Sequence, residues 1–234
     1  MNSSITTVSR KTGCTKAGHS AHRNTRLDTL PSMATPLEHQ TFGTLLDAIA
    51  AKSPTPGGGA VAGAIGALGS ALAQMVVNYT IGKKRFAAYE DELQDALAQL
   101  QRARDAMLEL AEEDAAAYAL VSELSALPED DDRRVAEYGN AIRLATNTPL
   151  ATAGAGVAML RLLSSLAPKT NPYLKSDLLI AALLADATVH AAAHNVRINV
   201  PTLRSAVGDD EADTVERRLE QLLSDAATIR ASIA

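Results

Sequence analysis

Between Gly57 and Tyr79 the chain is dominated by Gly and Ala alternating with Val, Ile and Leu, and Pro54-Thr55-Pro56-Gly57-Gly58-Gly59 leads straight into it. A helix of this composition has an almost flat surface, so a neighbouring helix can approach it closely. The glycines ahead of it let the backbone come near a partner group, and the free N–H groups of the helix N-terminus attract negative charge. The segment therefore predicts a rigidly held binding loop on a tightly packed helix.

The rest of the chain fits that kind of packing. Of 234 residues, 47% are hydrophobic but only 3% aromatic, with no Trp, so the core must be built from many small aliphatic contacts. A net charge of -5 argues against nonspecific nucleic-acid binding, which needs a basic face. The single Cys14 permits neither an intrachain disulfide nor a cysteine zinc cluster, which fits a reducing compartment.

Residues 1–32 read differently. They are rich in Ser and Thr, carry Arg10, Lys11, Lys16, Arg23 and Arg26 against Asp28, and hold no apolar run long enough for a signal peptide. Their composition resembles that of organellar transit peptides, but without a convincing amphipathic period. The expectation is a disordered tail. Met33 begins the globular pattern, so an over-extended start also fits, and 33–234 reads as one helical domain.

Within that domain, Phe42, Leu45, Leu46 and Ile49 mark a short amphipathic helix that ends before Pro54. From Phe86 to Leu127, Leu93, Leu97, Leu100, Ala103, Met107, Leu110, Tyr118 and Val121 keep steps of three and four, predicting a long helix ended by Pro128. Residues 131–166 are helical with a break or kink expected at Asn147-Thr148-Pro149. Ser176 to Val196 is nearly all Ala, Leu and Val, and Val215, Leu219, Leu222, Ala226 and Ile229 give the last helix a coiled-coil-like spacing. No stretch alternates as a strand. The predicted fold is all-α, an orthogonal or up-and-down multi-helix bundle.

Asp114 breaks the pattern of the long helix: it lies four residues after Leu110 and four before Tyr118, on the apolar stripe. Burial raises a carboxylate's pKa and costs stability unless the group is paired. Periodicity leaves two roles open for it, a general base and a structural acceptor. Glu112 and Glu113 fall off the stripe and read as solvated charges.

Other motifs fail on context. His190 and His194 have the spacing of a metal pair with Asp186 a turn earlier, but Arg197 shares that face and the stripe reads as the solvated side. The opposite edge, Asp177, Ala181, Thr188, Ala191 and Asn195, is a small-residue seam suited to helix contact. Gly57-x-Gly59-x-x-Ala62 matches a dinucleotide fingerprint formally, yet no strand precedes it and no acid follows for a ribose. Gly82-Lys83-Lys84 lacks the remainder of a P-loop. Ala60 to Tyr79 is long enough to span a bilayer but is only weakly apolar and contains Gln74 and Asn78.

Taken in order, Ser53-Pro54-Thr55-Pro56-Gly57-Gly58-Gly59, Met75-Val76, Thr80-Ile81-Gly82-Lys83-Lys84, Asp114-Ala115-Ala116-Ala117-Tyr118, Ser176-Asp177-Leu178 and Asn195-Val196-x-Ile198-Asn199 resemble the formimidoyltetrahydrofolate cyclodeaminase and methenyltetrahydrofolate cyclohydrolase family. The match runs from about Phe42 to the C-terminus. The resemblance implies an all-helical homodimer, a tetrahydrofolate derivative as substrate, no metal and no further cofactor, and a cytoplasmic enzyme with neither nucleic acid nor membrane as partner. It implies Asp114 as the base, with Glu112 as second choice. For the substrate it implies Pro56, Gly57, Gly58, Gly59, Asn78, Lys83, Lys84, Asp177 and Asn195. Lys83, Lys84 and Arg85 would meet the glutamate tail, and Asp177 and Asn195 would hydrogen-bond the pterin. Because the chain stands alone and its Ser53-Pro54-Thr55-Pro56 lead-in looks like that of stand-alone members, the expected reaction is hydrolysis of 5,10-methenyltetrahydrofolate to 10-formyltetrahydrofolate. Cyclodeamination of formimidoyltetrahydrofolate is the alternative, and a noncatalytic folate-binding helical dimer is the alternative of another class.

Overall fold

The computed structural model describes residues 36–233; the predicted tail, 1–32, lies outside the described residues. Among the described residues there are six α-helices and no strand: α1 (Phe42–Ala50), α2 (Gly58–Asn78), α3 (Glu90–Ser125), α4 (Asp132–Leu166), α5 (Lys175–Ala206) and α6 (Asp209–Ile233). A short 3-10 turn (Leu37–His39) precedes α1, and another (Lys84–Tyr89) precedes α3.

Helices α2 to α5 form an up-and-down four-helix bundle. The small residues of α2 set the contacts: Gly63 lies against Met107 and Ala111 of α3, Gly66 against the Met107 side chain, and Gly69 against Ala181 and Leu184 of α5. A Cβ at Gly63 would fall 2.5 Å from the Met107 carbonyl oxygen, so only glycine permits this approach of α2 to α3. Ser70, fully buried, donates to the Leu100 carbonyl at 2.6 Å, and Thr188 donates to the Ala62 carbonyl at 3.2 Å. These pairings run α2 antiparallel to both α3 and α5. Helix α4 closes the ring between α3 and α5, with Gly156 against Val189, and α6 packs outside on α4 and α5.

Two apolar clusters fill the bundle. One holds Val76, Leu93, Leu100, Leu160, Leu163 and Val189, the other Ile142, Val196, Leu203, Val215 and Leu219. The last helix buries Val215, Leu219, Leu222 and Ala226 as its spacing predicts. The seam on α5 also behaves as predicted, since Ala181 and Thr188 meet α2.

Three expectations need correction. The long helix starts at Glu90, because Lys84–Tyr89 winds as a 3-10 turn. Its stripe ends earlier than the spacing suggests: Tyr118 is 51% exposed. Most of all, α4 does not end at Pro149 but continues through it. Proline cannot donate to the Ala145 carbonyl four residues back, and Asn199 of α5 supplies the missing donor, its Nδ2 lying 2.8 Å from that oxygen.

Helix α2 has no charged residue along its 21 positions. By length and composition alone α2, Asp132–Lys169 and Pro172–Ala206 could cross a membrane, although in α2 61% of the window is buried inside the fold.

Candidate functional site

At one end of the bundle the first turn of α2 meets α3 and α5. The Thr55-Pro56 peptide is cis, Pro56 is half-buried, and Gly57 caps α2 without a side-chain acceptor, leaving the N-terminal N–H groups of the helix without a capping side chain. Asp114 lies directly over Gly59: a Cβ there would sit 2.0 Å from Asp114 Oδ2 and 2.2 Å from its Cγ. Gly58 lies against Asn195, whose Oδ1 would be 3.4 Å from a Cβ at that position. The consecutive glycines are therefore a cradle, one receiving the α3 carboxylate and the other the α5 amide.

Burial pushes the Asp114 carboxyl up to about 6. Its carboxylate makes no hydrogen bond or ion pair with another described residue, so nothing nearby offsets the lost hydration. It lies beside the N-terminal end of α2, where the helix dipole favours negative charge. Such a carboxylate can take a proton near neutral pH and can face a developing or resident cation. Tyr118, one turn further along α3 and half-exposed, adds an aromatic surface at the same end.

Glu112 has a different occupation. Its Oε1 accepts from the Leu37 backbone N–H at 2.6 Å, tying the segment before α1 to α3. Leu37 in turn is buried with Ala60 and Ala111. That contact left no trace in the sequence, because one backbone donor 75 residues away has no side-chain signature. Asn199 was more readable: a proline inside a helix orphans the carbonyl four residues before it, and an amide on a neighbouring helix is the usual kind of remedy.

The remaining residues stand elsewhere. Helix α2 has 21 residues, so its ends are about 30 Å apart. Exposed Asn78, Lys83 and Lys84 lie beyond its C-terminal end, and half-buried Asp177 lies in the first turn of α5, which runs antiparallel to it. Within one chain the structure thus brings together Pro56, Gly57, Gly58, Gly59, Asp114, Glu112 and Asn195, and holds Asn78, Lys83, Lys84 and Asp177 apart from them. The distant end has its own groove of about 180 Å³, lined by Arg85, Phe86, Pro168, Asn171, Lys175 and Leu178 among others.

On the outer face of α5, His190 and His194 are exposed, and His190 Nε2 is 3.7 Å from Asp186 Oδ1. Among the described residues no group of three or more His, Cys, Asp or Glu is placed to hold a metal ion.

The chain matches a known family model, formiminotransferase-cyclodeaminase, over residues 41–230. The chain belongs to that family. It is 35% identical over 201 residues to methenyltetrahydrofolate cyclohydrolase of Methylorubrum extorquens, covering 83% of this chain and 94% of that protein. It is 32% identical to the formimidoyltransferase-cyclodeaminase of Sus scrofa over 82% of this chain, but spans only 36% of that longer protein. The fold matches the crystal structure of formiminotetrahydrofolate cyclodeaminase from Thermotoga maritima with a TM-score of 0.76 at 28% identity, covering 84% of this chain and 94% of the other. The glycine cradle and Asp114 both lie inside the region that the family model matches.

Proposed function

We propose that this protein is a methenyltetrahydrofolate cyclohydrolase in one-carbon folate metabolism, with Asp114 as its general base. The observation that carries this reading is the buried, unpaired carboxylate over Gly59, poised near 6, in a chain that matches a stand-alone cyclohydrolase over almost its whole length. The substrate is a cation whose charge is shared by N5, N10 and the methenyl carbon between them. Ionised Asp114 removes a proton from water as its oxygen bonds to that carbon, leaving a neutral tetrahedral adduct. The carbon–N5 bond then breaks, protonated Asp114 returns its proton to N5, and the hydroxyl proton leaves as the formyl group forms on N10. The net change is one water consumed and one proton released. An electrophile already activated as an amidinium needs no metal and no cofactor beyond the folate itself.

Asn195 and the cradle glycines would fix the pterin end, and the half-exposed Tyr118 offers a flat face beside it. Glu112 acts through Leu37, as a positioning residue. Cyclodeamination is the second reading, favoured by the fold match to the Thermotoga maritima enzyme. In it N10 attacks the formimino carbon and ammonia leaves. The protein in this reading is a cytoplasmic homodimer that engages neither nucleic acid nor membrane. Self-association is supported by the uncharged α2, on which Leu68 is 52% exposed.

The deciding assay follows methenyltetrahydrofolate absorbance and ammonia together. Loss of absorbance without ammonia is the expected result. Ammonia release from formimidoyltetrahydrofolate would favour the second reading, and folate binding with neither activity would leave a noncatalytic folate-binding dimer.

A further inference from the structure

The first turn of α2 holds both ends of one loop. The chain reaches that turn at Leu37, which is buried with Ala60 and Ala111, and comes back to it at Gly57, the residue that caps the helix. At the first end Glu112 pins the backbone, its Oε1 accepting from the Leu37 N–H at 2.6 Å. At the second, residues 51–54 are exposed and lead into half-buried Pro56. Such a loop is held at its feet and little held between them.

Between the feet lies α1. Thr41 caps it by accepting from the Thr44 N–H at 3.1 Å, so the helix is closed locally at its start. Phe42, Leu45, Leu46 and Ile49 share one face. That face is not seated in the core: no residue of α1 is buried, Leu45 and Ile49 are half-buried, and Phe42 and Leu46 are 64% and 49% exposed. A helix of nine residues does not persist on propensity alone and needs its apolar face covered.

The place of the loop says what covers it. Ala111, beneath Leu37, comes three residues before Asp114 on α3, and half-exposed Tyr118 comes four after, so about 10 Å of helix separates the two. Asp114 therefore stands between the foot of the loop and an aromatic ring. Leu45 of α1 already rests on the cluster of Leu37, Ala60 and Ala111, one residue along α2 from Gly59. A flat ligand held at Asp114 lies beside Tyr118 and within reach of α1.

We infer that residues 37–57 are a strap that closes over the ligand, α1 tipping about its two feet to lay Phe42 and Leu46 on the fused ring, with Glu112 as the positioning residue that holds the pivot. The inference rests on the folate reading for the identity of that ring. Closure removes water from around the bound cation and so strengthens its attraction to the Asp114 carboxylate. It also gives Phe42 and Leu46 the cover they lack in the unliganded chain.

Three measurements test it. By hydrogen exchange, the parental protein is compared alone and in an equilibrated mixture of 5,10-methenyl- and 10-formyltetrahydrofolate. The amides of residues 42–50 are expected to slow by about fivefold or more with ligand, while those of α6 keep their rates. In steady-state kinetics, Phe42→Ser combined with Leu46→Ser should lower kcat/KM on the order of tenfold, mainly through KM. Both side chains are exposed without ligand, so the unfolding midpoint should stay at the parental value. Glu112→Ala should raise KM in the same way and speed exchange over residues 37–50 in the unliganded protein. Glu112→Gln, whose amide oxygen accepts the same bond, should regain most of that loss, which an amide could not do for a group that carried the proton itself.

Folate binding without protection of residues 42–50, or a parental KM in the double variant, refutes the strap. A double variant that dissociates in sedimentation while keeping its KM assigns the face of α1 to a contact between copies, and refutes it as well. Glu112→Gln as impaired as Glu112→Ala refutes the pivot. If calorimetry finds no folate binding to the parental protein, the folate reading falls and the strap with it, a result distinct from binding without closure.

Discussion

Replacing Asp114 by Asn should stabilise the protein at neutral pH while abolishing most of its activity. Burial lifts the carboxyl from 3.8 to about 6, so the folded chain holds a proton through a window in which the unfolded chain has lost it. Stability from that proton is therefore full below about 4, falls as pH rises towards about 6, and above 6 is gone. A difference of about two units corresponds to about 3 kcal/mol at roughly 1.4 kcal/mol per unit. The carboxylate retains some contact with water and the replacing amide still has to be desolvated, which reduces the expected gain to about 1–3 kcal/mol. Denaturant unfolding of both proteins at fixed concentration between pH 4 and 8 measures it directly. The parent curve should decline from 4 to 6 where the variant stays flat. In the same buffers the parental kcat/KM should rise with pH and level off above about 6, and the variant should lie about 10²- to 10⁴-fold lower. Parallel stability curves would refute the buried-carboxylate argument, and undiminished turnover would refute the assignment of the base.

Three further substitutions probe the surroundings of that carboxylate. Gly59→Ala places a methyl 2.0 Å from Asp114 Oδ2 and must displace it, so kcat/KM should fall on the order of 100-fold, checked by steady-state kinetics. Gly63→Ala puts a Cβ 2.5 Å from the Met107 carbonyl and 2.8 Å from the Ala111 Cβ, neither of which can swing away. It should cost about 1–3 kcal/mol in thermal or denaturant unfolding. Asn199→Leu leaves the Ala145 carbonyl without a donor beside Pro149 and should cost about 1–3 kcal/mol, with hydrogen exchange rising first in the middle of α4.

What the sequence revealed depended on how local the cause was. Asp114 was visible because a single carboxylate on an apolar stripe violates a period of 3.6, and periodicity needs only its own helix. The glycines of α2 announced close packing for the same reason, and Gly63, Gly66 and Gly69 do take neighbouring helices at their Cα atoms. Pro149 misled because its effect is decided elsewhere: α4 stays continuous since an amide 54 residues away satisfies the carbonyl that proline strands. Glu112 misled for a related reason, its partner being a backbone N–H of a different element. The greatest loss was of distance. A list of motif residues has no length, whereas a helix of 21 residues does, and it put Lys83 and Lys84 at the far end from Asp114.

That separation and the cost of Asp114 belong to one argument. A chain that carries an unpaired buried carboxylate gives up stability that an Asn would restore, so the charge is tolerated only where something bound to the folded state offsets it. The helix that cradles this carboxylate also carries no charge along its length and leaves Leu68 half-exposed. If the face around Leu68 closes on a second copy, the burial it provides offsets the cost of the site built on the same helix. Dissociation and loss of activity should then be a single transition. In a dilution series, activity and sedimentation should fall together with one midpoint, and Leu68→Glu, which leaves the cradle untouched, should shift both to higher concentration by the same factor. Activity that outlasts dissociation would show that each chain holds a complete site of its own.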